Sequence, residues 1–235
     1  DEIITGTKYL TENEMYGLKK VHFLICLLWT TVGVGKEFLK LAQHFNINPL
    51  DVIIRLAEEK SSELYKKILL PLEKEFKDEW FNTEEDLINY FKEEKNHKSI
   101  LSGEESLKKL NLKYIANLIL QKDVVLETIT QVKNAVKELC GNQLDNEILE
   151  TVEKMSIDFL RFDLLGDTIS KKVEYTISRK TFEVLLSSKI LPQNIILDSN
   201  KISLHFILPK ERFEKMKSRL YHHDFQNNPE KSVYG

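Results

Sequence analysis

From about residue 12 to about residue 165, apolar residues recur three and four apart, the spacing of helices with one buried face. Thr11-Glu12-Asn13-Glu14 sets a hydroxyl at a cap and a carboxylate three residues on, a capping box that predicts a helix from about Glu12. That helix is expected to run through FLICLLWTTVGVGKEFL, residues 23–39 and the most apolar stretch of the chain, until Gly33 and Gly35 break it. So dense an apolar run predicts a central helix buried on nearly all sides, with Cys26 and Trp29 in the core. Lys36 to Phe45 resumes the helical period. Asn48-Pro49-Leu50-Asp51 then supplies a cap, a first-turn proline and an acid at the positive end of the next helix dipole. Ser62 to Trp80 keeps the period around Pro71, which predicts a kink or two short helices. Asn82-Thr83-Glu84-Glu85 opens a further helix through Tyr90 and Phe91, and residues 95–104, KNHKSILSGE, lack periodicity and read as a loop. Three long amphipathic patterns follow: Glu105 to Gln121, Asp123 to Cys140 ended by Gly141, and Asn146 to Leu165 ended by Gly166.

After Gly166 the period changes. Val173, Tyr175 and Ile177 alternate, as do Ile202, Leu204, Phe206 and Leu208, which is strand spacing. Asp198-Ser199-Asn200-Lys201 is a turn that would join Asn194 to Leu197 with the last strand as a hairpin. Thr181 to Ser187 and Lys210 to Tyr221 have helical spacing. The predicted fold class is therefore mainly α: an all-helical domain over residues 1–168, then a small α+β subdomain of strand, helix, hairpin and helix over 169–235 with a short tail.

The apolar run invites two functional readings, and its own residues oppose both. Between Lys20 and Lys36 lie 15 uncharged residues, whereas a bilayer span needs roughly 20 predominantly apolar ones. A phosphate loop of the form G-x-x-x-x-G-K-[ST] would need glycine at Thr30 and a hydroxyl at Glu37, whose carboxylate would repel phosphate. Neither a membrane nor a nucleotide is an expected partner of this stretch.

Charge narrows the field further. With 34 Lys and Arg against 37 acids, the net charge of −3 creates no field that would gather nucleic acid or anionic lipid. Cys26 and Cys140 lie far apart in apolar helical contexts without C-x-x-C spacing, so both are expected to be buried thiols in a reducing, cytoplasmic setting. The chain starts at Asp1 without a signal-peptide pattern, which fits part of a longer cytoplasmic protein.

No motif assembles catalytic chemistry. His22, His44, His97 and His205 stand singly and are expected to be structural. His222 and His223 diverge by about 100 degrees if helical, too far to grip one ion. Acids between Glu73 and Glu79 and between Glu84 and Asp86 alternate with Lys or aromatics, as on solvated helix faces. No Ser nucleophile elbow, catalytic Cys/His pair or Gly-rich dinucleotide loop is recognised. No residue is assigned a catalytic, cofactor-binding or metal role from the sequence.

One corner has a recognisable geometry. LAQHFNINPLDVIIRLAEE, residues 41–59, spaces Leu41, Ala42, Ile47 and Val52 as a helix-turn-helix does. The positions that would face a groove, Asn48, Pro49, Leu50, Ile53 and Ile54, are mostly apolar and poorly suited to reading base edges, and Arg55 falls where an apolar side chain is normally buried. Nucleic acid is therefore not the expected partner, and packing within a helical core is favoured.

The order of segments is similar to a known family. IITGTKYLTENEMYGLKKVHFLICLLW, then FLKLAQHFNINPLDVIIRLAEE, then EWFNTEEDLINYF, and finally FEKMKSRLYHHDFQNNPEKSVYG resemble the C-terminal extension of cobalamin-binding radical S-adenosylmethionine (radical SAM) enzymes. Neither the C-x-x-x-C-x-x-C triplet that would hold their iron–sulfur cluster nor a D-x-H-x-x-G cobalamin signature is present. The resemblance thus implies a non-catalytic accessory domain downstream of both cofactor domains, capping the catalytic domain or shaping access to it. The iron–sulfur cluster, S-adenosylmethionine and cobalamin would belong to the parent enzyme, and the partner would be the catalytic domain of the same polypeptide or another protein. Two alternatives from other classes stay open: a stand-alone helical regulator or adaptor using the corner at 41–59, and a small hydrolase or transferase with a deep polar pocket.

Overall fold

The structure, a computed structural model, describes residues 9–30, 32–78, 81, 83–102, 110–163, 170–177, 185 and 201–207. Over these the chain is mainly helical with a small two-stranded sheet. The elements are α1 (Glu12–Ile25), α2 (Lys36–His44), α3 (Pro49–Glu58), α4 (Leu70–Asp78), α5 (Glu84–Lys92), α6 (Glu94–Ser102), α7 (Leu110–Leu120), α8 (Lys122–Cys140), α9 (Asn146–Asp163), β1 (Ser170–Thr176) and β2 (Lys201–Ile207).

Local chemistry sets the helix starts. Thr11 Oγ1 accepts the Glu14 N–H at 3.3 Å while the Thr11 N–H donates to Glu14 Oε2 at 2.7 Å, closing the capping box. Asn48 Oδ1 accepts the Leu50 N–H at 3.0 Å to begin α3. The apolar run leaves α1 as a π-turn over Cys26–Thr30. The chain then folds back: the N–H groups of Gly33 and Val34 both donate to the Leu27 carbonyl, at 2.9 and 3.2 Å. Gly33 and Gly35 take φ values of 78° and 72°, which L side chains rarely adopt.

Gly35 also sits where α2 meets α8, since a Cβ there would lie 3.4 Å from Val132. Gly35→Ala is accordingly expected to lower unfolding stability by about 1–2 kcal/mol through its left-handed backbone alone. Gly17→Ala, inside α1 with open space around it, should raise stability by about 0.5–1 kcal/mol. Urea titrations of the two variants check this, and equal effects would contradict it.

The core is built around α2, whose first residues end the apolar run, and not around the part of the run before Gly33. Phe38, Leu39, Lys40, Leu41 and Ala42 are consecutive and all buried, because α3, α8 and α9 pack around this helix. Before Gly33 the run buries Phe23, Leu24, Leu27 and Leu28, while Ile25, Cys26 and Trp29 are half-buried and the preceding His22 is exposed. The expectation of a helix enclosed on nearly all sides, with Cys26 and Trp29 in the core, is therefore corrected. Apolar composition did not mean enclosure, as α1 packs on α3 and α4 and keeps an outer side.

Around Pro71 the expected irregularity takes the form of a π-turn over Tyr65–Leu69, in which the Leu70 N–H donates to Tyr65 O five residues back, followed by α4 with Pro71 in its first turn. One further expectation changes. The stretch read as a loop at 95–104 contains α6. Glu94 and Lys98 pair at 2.6 Å along it, and Asn96 Nδ2 donates to Tyr90 O at 3.1 Å across the joint with α5. Its described side chains, Glu94 to Lys98, are polar and mostly exposed, so they display no apolar period.

β1 and β2 pair antiparallel, from Ser170 opposite Ile207 to Thr176 opposite Lys201. Val173, Tyr175 and Ile177 are buried, and Lys172, Glu174 and Thr176 face out, as the alternation predicts. The three buried residues join the same apolar cluster as the helices. The expected hairpin strand at 194–197, the helix at 210–221, Gly166 and His222–His223 lie outside the described residues, as does the 181–187 helix except for Leu185.

Candidate functional site

Three places on the described surface and interior bring polar chemistry together. The first is inside. α2 carries Glu37 and Lys40, α9 carries Ser156 and Asp158, and β1 carries Tyr175. Ser156 Oγ donates to Glu37 Oε2 at 2.8 Å, and Tyr175 Oη donates to Asp158 Oδ2 at 3.0 Å. Lys40 Nζ donates to the Leu185 carbonyl. Lys40, Ser156, Asp158 and Tyr175 are all at most 6% exposed. Glu37 is half-buried as a residue, and burial of its carboxyl raises its pKa above the ordinary value. Burial likewise lowers Lys40, with the Glu37 charge opposing. Tyr175 is raised, by burial first and by Asp158 next.

Perturbed groups in such a cluster mark catalytic sites when they face a cleft. Here they face one another across α2, α9 and β1, and the hydrogen bonds join these elements. This arrangement positions structure. It holds the strand layer against the helices through buried, mutually satisfied polar contacts.

The second place is at the outer side of α1. Cys26 Sγ lies 3.8 Å from His22 Nε2, and His22 Nδ1 lies 3.1 Å from the Asn111 side-chain amide on α7. Sequence reading set both residues aside, Cys26 as a buried thiol and His22 as a lone structural histidine. Cys26 is instead half-buried, while Cys140 is buried as expected. The available signal was H-x-x-x-C, which puts two side chains on one helix face. Asn111 could not be paired with them from sequence, being 89 residues from His22.

The third place is the helix-turn-helix-like corner. Leu41, Ala42, Val52 and Ile53 are buried there, and Asn46 takes the left-handed turn at φ 60°. Arg55 does not enter the core: it is exposed and paired with Glu138 on α8. The outward side of α3 thus offers Leu50, Asp51, Ile54, Arg55 and Glu58: two acids, two aliphatic chains and an arginine already paired with Glu138.

The acidic segments divide. Glu84, Glu85 and Asp86 are exposed, as expected for a solvated face. Glu73 and Glu75 are half-buried ties between helices: Glu73 pairs with Lys20 at 2.9 Å, and Glu75 accepts Tyr114 Oη at 2.8 Å and Lys113 Nζ at 2.5 Å. Burial and this carboxylate push the Tyr114 hydroxyl up. Among the described residues no group of three His, Cys, Asp or Glu is arranged to hold a metal ion. No described helix is long and apolar enough to cross a membrane.

Comparisons with protein-family models, with curated proteins and with solved structures find no match to this chain.

Proposed function

We propose that this chain is a non-catalytic helical accessory domain that caps, or shapes access to, the catalytic domain of a cytoplasmic cobalamin-dependent radical SAM enzyme, as its segment order implies. The observation that supports this reading is α5. It contains no buried residue, and Phe81, Ile88 and Phe91 are 40%, 44% and 45% exposed. Ile88 and Phe91 lie three apart on one helix face. Tyr90 packs against both Phe81 and Phe91, with ring centroids 5.0 and 5.8 Å apart, which gives the ridge a defined shape. All of these residues belong to EWFNTEEDLINYF, a segment that carries the resemblance.

An apolar ridge bordered by Glu84, Glu85 and Asp86 fits a catalytic-domain surface with an apolar groove and a basic margin. The cluster, S-adenosylmethionine and cobalamin then sit in that domain, and this chain holds none of them. Calorimetry of the chain with S-adenosylmethionine and with hydroxocobalamin should show no stoichiometric uptake. Ile88→Glu with Phe91→Glu should weaken association with the parent's catalytic domain at least tenfold, about 1.4 kcal/mol, and leave the chain's own melting unchanged. Stoichiometric cofactor uptake, or unchanged association, would overturn the reading.

A further inference from the structure

We infer that the chain pairs with a second copy of itself through α5, the two helices lying antiparallel with Ile88 against Ile88. Three observations carry it. α5 is nine residues long and buries none of them, whereas a helix shorter than roughly 12 residues is marginal in water and draws its stability from packing an apolar face. Its apolar side chains Ile88 and Phe91 stand exposed beside Phe81, so the surface that would cover this face comes from another molecule. The third observation is the charge pattern along the same face.

Glu84, Ile88 and Lys92 are four residues apart and fall in one line along α5, with Phe91 beside them. Glu84 and Lys92 are both exposed. Four residues span about 6 Å of helix, so the acid and the lysine stand equally far from Ile88, on opposite sides of it. A two-fold pairing presents the same patch on both copies. With the helices antiparallel, Glu84 of each copy faces Lys92 of the other, which makes two ion pairs around an apolar centre of Ile88 and Phe91. A parallel pairing would set Glu84 against Glu84 and Lys92 against Lys92, so like charges select the antiparallel register. The cap fixes where Glu84 stands: Thr83 Oγ1 accepts the Asp86 N–H at 3.1 Å and donates to Asp86 Oδ2 at 2.7 Å. Tyr90, whose ring packs against both Phe81 and Phe91, braces the apolar centre.

The pair uses the ridge assigned above to the catalytic domain, and the two associations exclude each other. Self-pairing thus regulates that surface, covering the ridge until the catalytic domain takes it, and only this competition rests on the proposed function. One short helix from each copy gives an interface at the small end of the specific range, below about 1,200 Å² in total. The pair is therefore weak and reversible.

Sedimentation equilibrium of the intact chain over a concentration series measures the pair without the catalytic domain, so a negative result leaves the proposed function standing. The wild-type average mass should rise with concentration toward that of a dimer. Glu84→Lys sets lysine against lysine at both ion pairs, and Lys92→Glu sets acid against acid. Each alone should weaken self-association at least about tenfold. An equimolar mixture of the two variants restores opposite charges at both positions, and should associate within about threefold of wild type. Adding Ile88→Glu to either variant should abolish that recovery. All three positions are exposed, so the far-ultraviolet circular dichroism should stay intact. A chain that remains monomeric up to about 1 mM, self-association unaffected by the single variants, or a mixture no tighter than its components would overturn the inference.

Discussion

Phe38→Ala is expected to reduce the unfolding free energy by about 3–5 kcal/mol, the range for emptying a buried aromatic site. That is a large share of the roughly 5–15 kcal/mol that holds a domain folded. The size follows from where α2 lies. Phe38 is fully enclosed, its neighbours Leu39, Leu41 and Ala42 are enclosed with it, and α3, α8 and α9 pack around the helix. Three packed neighbours cannot all close in on the cavity without disturbing one another. Phe91→Ala on α5, 45% exposed, should change stability by no more than about 0.5 kcal/mol. Urea unfolding followed by circular dichroism measures both. A loss below about 1 kcal/mol for Phe38→Ala would mean that α2 is not the enclosed centre of the fold.

Lys40→Met should be nearly as damaging, by about 3 kcal/mol, as expected when one partner of a buried charged group is removed. It strips the Leu185 carbonyl of its donor and removes one of the two lysine charges, the other being Lys36, that lower the Glu37 pKa. Combining it with Glu37→Gln should lose less than the two single changes together, since the residues share one cluster. Additive losses would show that the two residues act separately.

The cluster also has a pH signature. Burial raises the folded-state pKa of Glu37 above its ordinary 4.5. A carboxyl raised in this way contributes its full stabilisation below pH 4.5 and loses it as pH rises through the raised value. Urea midpoints of wild type, taken relative to Glu37→Gln, should therefore fall as pH climbs above 4.5. A difference that stays flat to pH 8 would remove Glu37 from the interior.

The capping box at Thr11, the Asn48 cap, the left-handed break at Gly33 and Gly35, and the strand alternation through Val173, Tyr175 and Ile177 were all legible along the chain. Each depends on residues within a few positions of one another, so local hydrogen bonding and side-chain period carry the information. α6 was not legible because its first turns, Glu94 to Lys98, are polar and mostly exposed and so display no apolar period. Cys26 and Trp29 were misplaced because an apolar run records hydrophobicity, not which side of the helix meets neighbours.

The sequence by itself determined that the chain is mainly α with a small strand layer, and where its early helices begin. Only the tertiary structure decided which helix is central, that Glu37, Lys40, Ser156, Asp158 and Tyr175 converge, and that Asn111 reaches His22 beside Cys26. Their hydrogen bonds join residues 17, 89, 119 and 145 positions apart, and tertiary packing, not any local spacing, brings them within hydrogen-bond distance.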